Sequence, residues 1–255
     1  MAAVGVEFAR VSYTLPAAAN GQPGRVLLRD ISLQLGAGTT TALLGRSGSG
    51  KTTLLRMVNG LVMPTSGEVR VGGRGTGEFD PVSLRRSIGY VIQETGLFPH
   101  MTIERNVGMA LELAGRSRGK IAARTAKTLA LVGMGFTEFR ERYPWQLSGG
   151  QRQRVGLARA LAMAPEILLM DEPFGALDPL TRAEMQTMLR DLLRQVNKTV
   201  LLVTHDLDEA LYLAERVVFL ADGRVVADLP AGEVLRSENP YVRDYVSAVH
   251  RAVPV

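Results

Sequence analysis

The chain has 255 residues, and 46% of them are apolar, enough for one large domain or for a core with an inserted subdomain. It has no cysteine, which excludes disulfides, thiolate metal sites and cysteine nucleophiles. Its 30 Lys and Arg exceed its 25 Asp and Glu, a formal charge of +5 that suits nucleic acid or an anionic membrane surface, although a solvated basic face is the simpler expectation.

The first residues lack a basic start followed by an apolar core, so no export signal is expected. Residues 4–11 and 25–35 alternate in polarity and read as strands, split by a Pro/Gly/Asn loop at 16–24. They predict a small antiparallel sheet. The apolar run Thr41–Leu44 then ends at Gly45-Arg46-Ser47-Gly48-Ser49-Gly50-Lys51-Thr52, which fits the phosphate-loop pattern G-x-x-x-x-G-K-[ST]. The segment from Thr53 continues with helical character. Glycines let successive backbone N–H groups curl around one anion, and the following helix presents its positive end to it. Lys51 can reach the β- and γ-phosphates, and the Thr52 hydroxyl can bind Mg²⁺. A bare glycine-rich turn would need neither residue. Residues 66–80 carry further glycines without that context and read as a flexible connection.

Three more apolar runs end abruptly in polar residues: Ile88–Ile92 at Gln93, Ile167–Met170 at Asp171, and Val200–Val203 at Thr204 and His205. Such runs suit parallel strands buried on both faces, with helices crossing over between them. Ligands collect at the carboxyl ends of strands of this kind. Residues 94–150 interrupt the alternation with helical patterns at Thr102–Ala114 and Lys120–Val132 and read as an inserted helical subdomain. The densest basic stretch, Arg116–Lys120 with Arg124 and Lys127, has no interleaved aromatic for base stacking. Ser148-Gly149-Gly150-Gln151 has capping-box spacing, so a helix is expected to start there and run through Ala164. Two glycines in a first turn are unfavourable by up to ~1 kcal/mol each, unless something must approach the backbone closely. A phosphate held by another copy of the chain fits that need. The region Val155–Met170 contains Arg159, Pro165 and Glu166, so no membrane span is expected. Asp171 and Glu172 place two carboxylates at a strand end, the first suited to hold Mg²⁺ through water and the second to act as general base. Residues 231–255 read as a short terminal helix or two, and His100 and His250 as surface residues.

In order and spacing, the phosphate loop, Gln93, Leu147-Ser-Gly-Gly-Gln151, Asp171-Glu172, Ala176-Leu-Asp178 and His205 resemble the ATPases of the ATP-binding cassette (ABC) family over roughly residues 4–230. The resemblance implies an α/β fold: a P-loop NTPase (RecA-like) core with a parallel sheet, an N-terminal antiparallel β-subdomain and an inserted α-helical subdomain. The cassette would span 1–230 and a helical tail 231–255. It implies that ATP and Mg²⁺ bind at Gly45–Thr53. Two copies would pack head to tail, so that Ser148, Gly149, Gly150 and Gln151 of one complete the ATP site of the other. Gln93 would sense Mg²⁺ and water, Glu172 would be the general base, His205 would contact the γ-phosphate, and Asp178 would link the two sites. Partners implied are two permease subunits at the cytoplasmic face of the membrane and, indirectly, an extracytoplasmic solute-binding protein; no nucleic acid is implied. The family stacks adenine on an aromatic near the end of the first strand. Here that position is Leu15, with Tyr13 two residues earlier, and the adenine platform stays open. The segment from Ile88 to Val107 resembles osmoprotectant importers, for glycine betaine, choline or carnitine. Another permease's cargo is the alternative, and a ribosome- or DNA-acting ABC ATPase has only the basic charge in its favour.

Overall fold

The computed structural model describes residues 4–16 and 24–249. Most of the expected loop at 16–24, His250 and the end of the expected tail lie outside the described residues. The first strands and helix are β1 (Val6–Thr14), β2 (Val26–Leu35), β3 (Thr40–Leu44), α1 (Lys51–Val58), β4 (Ser66–Val71) and β5 (Arg74–Gly75). There follow α2 (Pro81–Ser87), β6 (Ile88–Val91), α3 (Ile103–Leu113), α4 (Arg118–Leu131), α5 (Phe136–Phe139), α6 (Gly149–Leu161), β7 (Ile167–Asp171) and α7 (Pro179–Val196). The last elements are β8 (Thr199–Val203), α8 (Leu207–Leu213), β9 (Arg216–Ala221), β10 (Arg224–Pro230) and α9 (Pro240–Val249). Contacts divide the chain into two compact units, Val82–Val200 on the one hand, and Val4–Pro81 with the chain from Leu201 onward on the other.

In the discontinuous unit, β2, β1, β4 and β5 form an antiparallel sheet in that order. Phe8 pairs with Leu33 on one side and Val69 on the other, and all three are buried. Residues 66–80 are thus more than the flexible connection read from the sequence. Val69 and Val71 make a half-buried strand, and Gly72 and Gly73, at φ 59° and 81°, turn the chain back into β5. Gly67 lets β4 close on β1, because a Cβ there would lie 2.2 Å from the carbonyl oxygen of Arg10. β3 is buried along its whole length and pairs in parallel with β9, Leu44 opposite Phe219. β10 returns antiparallel to β9 through Asp222-Gly223, both at positive φ (49° and 74°), the backbone of a tight hairpin turn. Neither strand figures in the sequence reading, although Asp-Gly between apolar runs is a strong hairpin signal.

In the Val82–Val200 unit, β6 pairs in parallel with β7, Ile88 opposite Ile167. Helices α3, α4 and α6 pack on one another. The basic stretch is not wholly a solvated face: Arg124 of α4 donates to the carbonyls of Ala162 (2.7 Å) and Leu161 (2.8 Å) and so caps the end of α6. α6 ends at Leu161, short of the expected Ala164. Ala164 lies at φ 54°, and Pro165 disfavours a helical conformation before it. β7 and β8 are buried throughout, as strands covered on both faces require. β8 crosses the division between the units: Thr199 N–H donates to Glu166 O in one, and Thr204 N–H, just past the strand, donates to Leu43 O in the other. Among the described residues no helix is long and apolar enough to cross a membrane.

Candidate functional site

The phosphate loop is wedged between strand ends. Gly45 and Gly50 lie at φ 152° and 101°; a Cβ on the first would be 2.2 Å from Leu220 O, and on the second 2.5 Å from Leu28 Cδ2. Substitution at either would meet both backbone strain and a neighbour. α1 starts at Lys51 with Gly50 as its N-cap and no side-chain cap, leaving the helix start to an anion. Lys51 is 6% exposed, and its ammonium donates to the carbonyls of Gly45 (2.8 Å) and Arg46 (3.1 Å), across its own loop. The Ser49 hydroxyl is buried and has no hydrogen-bond partner among the described residues. An unpartnered hydroxyl, a buried ammonium and an uncapped helix start suit a polyphosphate. A cavity of about 700 Å³ opens against Arg46–Ser49, walled by Arg25, Leu27, Arg29, Asp222 and Tyr241. Neither Tyr13 nor Leu15 is among its walls. Tyr13 pairs with Leu28 in the β1–β2 ladder, and Leu15 N–H donates to Arg25 O.

His205 is exposed in the turn between β8 and α8. The turn is built locally. Asp206 N–H donates to Thr204 Oγ1 at 3.0 Å, and the Asp206 carboxylate accepts from Glu209 N–H at 3.1 Å, capping α8.

In the Val82–Val200 unit, parallel pairing puts the carboxyl ends of β6 and β7 side by side, Val91 opposite Met170. Gln93 and the Asp171-Glu172 pair therefore emerge together, and Gln93 Nε2 donates to Glu172 Oε2 at 3.4 Å. Asp171 is 3% exposed and accepts from Tyr90 Oη at 3.3 Å, a partner missing from the sequence reading. Glu172 lies at φ 45°, a conformation that costs a non-glycine residue ~1–3 kcal/mol and is characteristic of functional turns. Thr52, Gln93 and Asp171 each carry a hard oxygen donor of the kind that suits Mg²⁺.

The capping box forms as expected. Gln151 N–H donates to Ser148 Oγ (3.2 Å), Ser148 N–H donates to Gln151 Oε1 (3.0 Å), and Ser148 is exposed. Gly150 has an internal reason to be glycine: a Cβ there would lie 2.6 Å from Thr181 Cγ2, so the first turns of α6 and α7 can touch. Asp178 caps α7, accepting from Thr181 N–H at 3.1 Å. Hydrogen bonds from Thr181, the hydroxyl first and then the backbone, hold the Asp178 carboxyl below the ordinary carboxylate value. Arg159, on the far end of α6, donates to the carbonyls of Gly96 (2.7 Å) and Thr95 (2.5 Å) in the loop that follows Gln93. Burial pushes its guanidinium pKa down. In the sequence Arg159 shows only as a charge in an apolar stretch, and that is the available signal. Beside it lies a groove of about 520 Å³ walled by Val82, Tyr90, Ile92, Phe98, Met109 and Leu113. Leu113 is 69% exposed and Val82 51%.

A glycine loop feeding a helix from a buried strand, in an α/β chain with an antiparallel β-sheet, defines a P-loop NTPase cassette. The ABC transporter family model matches residues 28–175, and the chain belongs to that family. The glycine betaine/carnitine/choline transport ATP-binding protein OpuCA of Bacillus subtilis (strain 168) is 46% identical over 224 residues, 88% of this chain and 59% of that protein. The glycine betaine uptake system ATP-binding protein YehX of Escherichia coli (strain K12) is 44% identical over 241 residues, 94% of this chain and 76% of that protein. Among solved structures, the post-hydrolysis dimer of the ATP-binding cassette MJ0796 bound to ADP and Pi is similar with a TM-score of 0.78 at 34% identity. That match covers 89% of this chain and 98% of the other. The chain thus spans less than two thirds of the length of OpuCA.

Proposed function

We propose that this chain is the ATP-hydrolysing, energy-coupling subunit of an ABC importer for osmoprotectant quaternary amines such as glycine betaine, choline or carnitine. The observation that carries the reading is a formed phosphate loop on the same chain as an exposed, glycine-started capping-box helix. A protein that only binds nucleotide has no use for the second. The cargo rests on the names of its relatives.

The backbone N–H groups of the phosphate loop and Lys51 hold the phosphates of the ATP substrate. Thr52, Gln93 and Asp171 (the last through water) would hold Mg²⁺. When bound, Mg²⁺ supplies positive charge against the phosphoryl oxygens. Glu172 accepts the proton of the attacking water, and His205 contacts the γ-phosphate. Ser148–Gln151 of a second copy closes on the nucleotide, and Asp178 links the two sites. Closure on ATP and release after hydrolysis move two permease subunits from the cytoplasmic face of the membrane. A solute-binding protein outside delivers the cargo. Uptake of radiolabelled glycine betaine under osmotic stress is expected to fall on deletion of the chain and to return when it is restored. Equal uptake in both strains would remove the osmoprotectant assignment and leave the ATPase assignment standing.

The apolar groove beside Phe98 and Leu113 is the proposed seat of the permease's cytoplasmic coupling helix, with Arg85, Arg86 and Arg159 along it. Leu113→Glu puts a charge on its most exposed apolar wall. It is expected to lower uptake at least about tenfold, the equivalent of ~1.4 kcal/mol of docking, with the ATPase rate of the isolated subunit within about twofold of wild type. Uptake unchanged by that variant would place the docking surface elsewhere.

A further inference from the structure

The C-terminal helix α9 packs onto the elements that carry the phosphate loop and His205. Val242 is 0% exposed, in one cluster with Ala42 and Leu44 of β3, which feeds the phosphate loop, and with Leu207 and Ala210 of α8, which follows His205. Tyr241 and Tyr245, four residues apart, lie on one face of α9. Both rings meet Phe219 edge-on, with centroids at 6.4 and 5.6 Å. Tyr241 also walls the cavity at the phosphate loop, and its buried hydroxyl has no hydrogen-bond partner among the described residues. The Tyr245 hydroxyl instead donates to the backbone carbonyl of His205 at 2.9 Å.

We propose that Tyr245 is a positioning residue for His205: the C-terminal helix pins the backbone from which the imidazole projects. The proposal rests on the reading of His205 as the γ-phosphate contact. Local bonds at Thr204 and Asp206 hold one side of the turn, and the Tyr245 hydroxyl holds it from forty residues away in sequence. Burial, then the neighbouring Tyr241 and Asp206, push the Tyr245 hydroxyl up to about 12, so it remains a donor throughout the neutral range. A donor that holds a carbonyl restrains ψ at that residue, and with it the Cα–Cβ direction from which the side chain projects. Misplacement of a reacting group by an ångström can cost about a hundredfold in rate. Loss of one of several restraints should cost less.

Tyr245→Phe keeps the ring against Phe219 and removes only the donor. In the full chain with Mg-ATP, kcat is expected to fall about five- to tenfold while KM for ATP stays within about twofold, because the phosphate loop and not His205 carries ground-state binding. The imidazole resonance of His205 in the proton NMR spectrum should shift and broaden while that of His100 stays in place. That measurement needs no nucleotide. An unchanged kcat in an enzyme whose wild type turns over ATP would overturn the proposal by itself, as would an unmoved His205 resonance. A wild type that neither binds nor hydrolyses ATP would overturn the ATPase reading, and this one with it.

Discussion

Glu172→Gln is expected to bind ATP, to lose about a hundred- to ten-thousandfold in kcat, and to accumulate as an ATP-bound dimer. The substitution is nearly isosteric. Its amide oxygen can still accept from Gln93 Nε2, which donates to Glu172 Oε2 at 3.4 Å, so the turn after β7 should persist. What disappears is the capacity to take a proton from water, and general-base catalysis contributes about that range of rate. The backbone already holds Glu172 at φ 45°, and the side-chain change does not add to that strain. With turnover blocked, ATP is no longer consumed, and a ligand that binds only the closed pair shifts the equilibrium towards it by mass action. Phosphate release and sedimentation with saturating Mg-ATP check both halves. Turnover within tenfold of wild type would remove Glu172 as general base. A monomer under those conditions would remove the two-copy site.

Lys51→Ala is expected to weaken ATP binding about a hundredfold or more, with turnover falling below detection. Two effects add. The variant loses the one charge of the loop that is aimed inward, a nearly buried ammonium. It also loses the bonds to the Gly45 and Arg46 carbonyls that hold the loop's shape. The cost to folding should be small, on the order of 1–2 kcal/mol for two carbonyls deprived of a donor. Removal of a charge from a low-dielectric position offsets part of it. Nucleotide titration and thermal unfolding of the same sample separate the two. Near-normal hydrolysis would take Lys51 out of its assigned role.

Those features of the site that depend on neighbours in sequence were legible without coordinates. Gly45 and Gly50 are positions where only glycine fits, and the phosphate-loop pattern announces them. The capping box from Ser148 to Gln151 closes over three residues and forms as read. Four apolar runs form strands: β3, β7 and β8 are buried throughout, and β6, which stops at Val91, is buried apart from Tyr90. The strands that the sequence does not show have remote stabilising partners. β4 is a strand because Val69 meets Phe8, some sixty residues earlier, and its glycines masked the short alternation. β9 is a strand because it lies beside β3.

The sequence by itself determined the chemistry on offer: a glycine loop of the phosphate-loop pattern, a pair of carboxylates at a strand end, a histidine after another strand, and a helix start with two glycines. Each is a local pattern of backbone freedom and side-chain type, and such patterns survive without tertiary context. Only the tertiary structure decided what holds these groups. It assigned Tyr90 to Asp171, Arg159 to the loop after Gln93, Thr181 to Gly150 and Tyr245 to His205. The reason is physical: a hydrogen bond or a packing contact between residues forty or eighty apart depends on where the chain folds back, and no short-range periodicity records that.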